Sequence, residues 1–147
     1  MKPFDHFFVA YIEAALWSSN DDEGTPFNSK FDRHQIHPHC LSAMEKECRA
    51  FLAQNIQTID QAIEAHPGFT FTSAGHDFWL TRNHHGAGFW DRGLGDFSDQ
   101  LTASANGFDA QDIYVGDDGL LYVSGLEPDR IVRVSALPDN VLPSYVW

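Results

Sequence analysis

Apolar side chains recur at three- and four-residue spacing through Phe4, Phe7, Phe8, Tyr11, Ile12, Ala15 and Leu16, which predicts a helix from about Pro3 to Trp17 with one face in a core. Ser18 to Pro26 is turn-forming and charged, and it opens a stretch running to about His37. A loop of that length in a small chain is expected to be either functional or mobile. The helical period returns at Leu41, Met44, Cys48, Phe51, Leu52, Ile56, Ile59 and Ile63, and holds to His66 before Pro67-Gly68. This is the longest predicted helix. Thr58 and Gln61 have capping-box spacing and mark a place where it can break in two.

Beyond Gly68 the period shortens. Phe69-Thr70-Phe71-Thr72 alternates as a half-buried strand does, and it leads into two apolar-rich runs separated by Asn83-His84-His85-Gly86-Ala87, which predict a β-hairpin. Asp96 is placed to cap a short helix through Phe97, Leu101 and Ala105, with Gly107 as a left-handed terminator. Asp112–Val115 and Leu120–Val123, joined through an Asp-Gly turn, predict a second hairpin. Calcium is a weaker alternative at that turn, because too few oxygen ligands have the required spacing. Ile131 to Val134 suits an edge strand. The proline-rich apolar tail from Ala136 to Trp147 is expected to dock on the protein's own surface or on a second copy. The fold class that follows is α+β: helices packed on one face of an antiparallel sheet built from hairpins, in a single domain spanning 1–147.

Composition narrows the partners. Apolar residues make up 43% of the chain, too many for a disordered protein despite a formal charge of -12. With 21 acidic against 9 basic side chains, the summed field repels phosphate, so direct nucleic-acid binding is not expected. Acidic surfaces suit basic protein partners, or serve only solubility. The amino-terminal residues lack an apolar signal core and no 18-residue apolar run exists, which together predict a cytoplasmic protein with no membrane span.

Cys40 and Cys48 would lie about 12 Å apart along one helix, beyond disulfide reach, so they are expected to stay reduced. His34, His37, His39 and Cys40 crowd into seven residues and raise the question of zinc. The spacing fits no recognised finger, and a solvated helix entry with Pro38 in the first turn is the favoured reading. No metal or other cofactor is assigned.

Candidate chemistry concentrates between His76 and Arg92. In an extended ribbon His76, Phe78, Leu80 and Arg82 share one side, while Asp77, Trp79, Thr81 and Asn83 share the other. His85, beside the small residues Gly86-Ala87-Gly88, is the first candidate for a general base, with His76 as a second and Asp91 as an orienting carboxylate. Asp77, Trp79, Arg82, Asn83, Trp90 and Arg92 complete the set as binding residues. The bland alternative takes Asp77 with Arg82, or Asp91 with Arg92, as ion pairs that pin strand ends, with Phe78, Trp79, Phe89 and Trp90 filling core and sheet faces.

The run Gly75-His76-Asp77-Phe78-Trp79-Leu80-Thr81-Arg82-Asn83, followed by His85-Gly86-Ala87-Gly88-Phe89-Trp90-Asp91-Arg92-Gly93, resembles a family of small phage- and plasmid-encoded proteins. Ala15-Leu16-Trp17-Ser18, the helix near Phe51 and Tyr114-Val115-Gly116-Asp117-Asp118-Gly119 extend the likeness over about residues 10 to 123. His84 departs from it, since the family pattern has glycine there. The resemblance implies a mobile-element protein acting inside a bacterium. Two functions are therefore weighed: an acidic protein that binds and modulates a host factor of defence or DNA processing, and a small enzyme with acid/base chemistry at the predicted hairpin.

Overall fold

A computed structural model describes residues 2–128. Its elements in chain order are α1 (Pro3–Ser18), α2 (Pro38–Ala65), α3 (Phe71–Arg82), α4 (Asp96–Asn106), β1 (Ile113–Val115) and β2 (Leu121–Val123), with single 3-10 turns at Phe27–Ser29, Arg33–Gln35 and Phe89–Asp91. The described residues are mostly helical and include an antiparallel sheet of two strands. The expected sheet with helices on one face is replaced by helices packed on one another around a shared aromatic core, because the chain between Phe69 and Asp91 supplies a helix and a return loop instead of strands. The edge strand expected at 131–134 and the docked tail after Ala136 lie outside the described residues.

Pro3 begins α1 at a position where its missing N–H costs no hydrogen bond, and Asp5 accepts the Lys2 backbone N–H at 3.1 Å. Phe7, Phe8, Tyr11, Ile12, Ala15 and Leu16 are all buried. α2 runs without a break past Thr58, because its stripe from Cys40 through Met44, Cys48, Phe51, Ile59 and Ala62 packs continuously; the Thr58 hydroxyl bonds the Gln100 side chain of α4 instead of capping a new helix. Phe51 from α2 stacks on Phe78 from α3, with centroids 4.1 Å apart. Phe7, Phe89 and Phe108 surround that pair. Burial of each such ring stabilises by about 1.5–3 kcal/mol.

α3 is where the expected strand and hairpin give way. Thr70, expected inside a strand, is the N-cap, its hydroxyl accepting the Ser73 N–H at 3.1 Å while Ser73 accepts the Thr70 N–H in return. The helix ends in a Schellman motif, with the His84 N–H on the Thr81 carbonyl and the His85 N–H on the Leu80 carbonyl. His84 accordingly takes φ 58°, the position where glycine carries no Cβ penalty. In α4, Gly95 rather than Asp96 is the N-cap, and Gly107 ends the helix in a right-handed conformation, so neither end is built as the composition suggests.

The stretch from Ser19 to His37 is tied down at several points. The Asp21 carboxylate accepts the N–H groups of Glu23 and Thr25, both at 2.9 Å, and pairs with Lys30. Phe27 and Ile36 are buried, and Ile36-His37 lies along β2, the His37 N–H donating to the Leu121 carbonyl. β1 and β2 form the expected hairpin, with Ile113 opposite Val123 and Val115 opposite Leu121 and with Gly119 at φ 82° in the turn. Cys40 and Cys48 are both buried and unlinked.

Candidate functional site

The Gly75–Gly93 run folds as α3 followed by a loop that comes back along it. Gly75 lets α3 touch α1: a Cβ there would overlap the carbonyl of Phe7. Gly88 does the same for the return loop, since a Cβ would overlap the Thr81 hydroxyl, and that hydroxyl accepts the Phe89 N–H at 3.1 Å. Two of the motif's glycines are thus places of close approach between elements.

Two of the motif's ionic groups, Asp77 and Arg92, are matched to each other, and Arg82 is matched to groups outside the motif. Asp77 is 2% exposed and receives two hydrogen bonds from Arg92, one from Nε and one from a terminal nitrogen at 3.1 Å. Arg82, 1% exposed, donates to the Asp109 carbonyl at 2.9 and 2.5 Å, to the Tyr11 hydroxyl at 3.2 Å and to Glu47 at 2.8 Å. Burial works against the guanidinium's charge, but Tyr11 and Glu47 outweigh it and hold its proton more firmly than usual. The expected pairings of Asp77 with Arg82 and Asp91 with Arg92 are therefore replaced by Asp77 with Arg92 and Arg82 with Glu47. On a helix, residues five apart point in different directions, so the ribbon's grouping of neighbours does not carry over.

The remaining candidates divide between interior and surface. Trp79 is buried, its ring edge on Tyr11 and its Nε1 donating to Ser18 Oγ at 2.9 Å. Asn83 donates to the Trp79 carbonyl and accepts the Gln111 N–H, tying the end of α3 to the strand entry. His85 is half-buried, Asp91 is exposed, and no hydrogen bond joins their side chains. Trp90 is 53% exposed. His37 caps α2 through the His39 N–H and stacks on Tyr122, while Cys40 turns inward to the Leu126 carbonyl; His34 stays exposed.

Arg92 lines a small hollow with His66 and Phe69, and His76 opens onto a larger one. The His76 Nδ1 lies 3.5 Å from Asp77 Oδ1, the limit of a hydrogen bond, and its ring packs on Trp17 with centroids 5.9 Å apart. Both line an open groove of about 610 Å³ with Ile12, Glu13, Phe31 and Arg33. Trp17, His76, Asp77 and Arg92 thus form one contiguous row from the end of α1 across the middle of α3 to the return loop. Residue order alone does not point to Trp17, Glu47 or Tyr11 as members of this neighbourhood. Trp17 carries a signal, being part of the Ala15–Ser18 likeness and off the Phe7–Tyr11 stripe; Glu47 carries none that separates it from other surface acids.

Among the described residues from 93 to 128 the charged side chains are all acidic. Residues 93–128 contain Asp96, Asp99, Asp109, Asp112, Asp117, Asp118 and Glu127, all exposed, and no lysine or arginine. Asp118 also holds its own turn together, since its carboxylate takes the Tyr122 hydroxyl and the Leu120 N–H, which keep it below the usual carboxylate range. No helix of the described residues is long and apolar enough to cross a membrane. No family model matches the chain, and neither a curated protein nor a solved structure matches it.

Proposed function

We propose that this is an acidic protein of a phage or other mobile element that works inside the bacterial cell by binding and modulating a host protein, with defence and DNA-processing factors as the class its charge suits. One observation supports this above the others: Asp77, Arg82 and Arg92 of the motif are held in ion pairs, whereas Asp96, Asp99, Asp109, Asp112, Asp117 and Asp118 are exposed and residues 93–128 contain no lysine or arginine. Such a field steers basic partners and disfavours nucleic acid. The test is affinity capture from the host with the native chain, with Asp112→Lys/Asp117→Lys, and with His85→Ala as baits. The double reversal, which leaves the turn-forming Asp118 in place, is expected to lose the partner, and His85→Ala to keep it. Capture that ignores the reversal, or capture of nothing, removes the reading.

A second reading, a small enzyme, has one observation in its favour: His76 beside a buried carboxylate at the lip of a groove. It puts the base at His76 rather than His85. Loss of the biological effect in His76→Ala with an intact fold and intact partner capture would favour it.

A further inference from the structure

The two strands of the hairpin have different outer edges. β2 is covered along its outer side by Ile36-His37. The Ser124 N–H bonds the Asp112 carbonyl and the Gly116 N–H bonds the Leu120 carbonyl, which makes 112/124, 114/122 and 116/120 the mutually bonded pairs. Ile113 and Val115 therefore direct their N–H and C=O groups away from β2. Among the described residues no backbone or side-chain group bonds to them. An edge of this kind is a template for one more strand, and proteins usually blunt it with a bulge, a proline or an inward-pointing charge. β1 is only three residues long, which is itself one of the ways an edge is blunted, but no bulge, proline or inward-pointing charge stands in Ile113-Tyr114-Val115.

That edge opens on a hollow of about 290 Å³ whose opposite wall is Asn20, Asp21, Asp22 and Glu23. Asp21 is occupied with the loop, but Asp22 and Glu23 are exposed. Val115 is 46% exposed, so an apolar contact is available beside the acids. We propose that β1 receives an extended, basic segment of a partner protein as a third strand, its backbone pairing with Ile113 and Val115 and its cationic side chains meeting Asp22 and Glu23. Main-chain bonds supply affinity in this mode, and the flanking acids select the sign of the segment. The inference rests on the acidic-binding reading above and names a seat for the partner.

The probe is a synthetic peptide alternating arginine with valine, titrated against the full chain, with a second peptide N-methylated at alternate residues. The native protein is expected to bind the first peptide and to protect the Ile113 and Val115 amides from hydrogen exchange. N-methylation, or the change Asp22→Lys/Glu23→Lys, is expected to weaken binding about tenfold or more, while Asp96→Lys/Asp99→Lys on α4 changes it less than about twofold. Equal loss from the α4 reversal, or indifference to N-methylation, shows charge attraction without strand addition and overturns the proposal. So does protection of those amides before peptide is added: at low concentration it marks an edge already filled by the chain, and growth with concentration marks a second copy. The peptide result does not depend on host capture, so either idea can fail alone.

Discussion

Gly75 lies against the carbonyl of Phe7, so that α3 and α1 meet backbone to backbone at the one helical residue with no side chain to hold them apart. Gly75→Ala is expected to force the helices to separate and to destabilise the protein by about 1–3 kcal/mol or more, since a backbone carbonyl cannot rotate away as a side chain can. Gly86, which has open space and no positive φ, provides the control. Gly86→Ala is expected to be neutral or slightly stabilising, by up to about 1 kcal/mol. Urea unfolding of both variants checks the pair, and equal effects would contradict the close-approach assignment.

Arg82 bonds Tyr11 of α1, Glu47 of α2 and the Asp109 carbonyl at once, from a site that excludes water. Arg82→Met leaves those partners unmatched and is expected to cost about 3–5 kcal/mol. Glu47 is a quarter exposed, so Glu47→Gln is expected to cost less, about 1–2 kcal/mol. Chemical denaturation in which Arg82→Met unfolds as late as the native chain would sink this account.

His84 carries a side chain at the left-handed residue after α3. His84→Gly is expected to raise stability by about 0.5–1 kcal/mol, the relief of the Cβ contact exceeding the added freedom of the unfolded chain. Thermal melting measures it. A lower midpoint would mean that the imidazole makes a stabilising contact of its own.

Two carboxylates contribute to the acid limb of the pH profile. Asp21 is held below the ordinary aspartate range by the N–H of Thr25 first, then Glu23 and Lys30, and Asp118 by the Tyr122 hydroxyl first, then the Leu120 N–H. A carboxyl whose folded value is depressed adds stability that is present above its unfolded value and is lost as pH falls through the folded one. The loop at 21–25 and the β1–β2 turn are therefore expected to loosen together below the ordinary carboxylate range. Titration of the carboxyl carbons by NMR tests this, and midpoints at or above that range for Asp21 and Asp118 would contradict it.

Much of this architecture is readable from residue order. The stripe of α2, the short α4 and the β1–β2 hairpin follow from spacing, because a wet face and a dry face alternate along each and the contrast sets the period; α1 is legible from its aromatic and aliphatic spacing although only Glu13 is exposed between Phe7 and Leu16. α3 has no such contrast. From Asp77 to Arg82 every residue is buried, so the helical period is erased, and Gly75 looks like a breaker when it is a contact point. The candidate site is obscured by the same cause. Asp77, Arg82 and Arg92 stand out in the sequence as a charged group, but their partners lie 15, 35 and 71 positions along the chain, and local spacing carries no information about such distances.

The two thiols offer a practical opening. Cys40 and Cys48 are enclosed, and burial pushes both above the usual thiol range, so neither presents much thiolate to a reagent in the native state. A cysteine introduced at Val115 or Trp17 would then react well ahead of them, and a spin or fluorescent label attached there could report on the hairpin edge or the groove without rebuilding the interior.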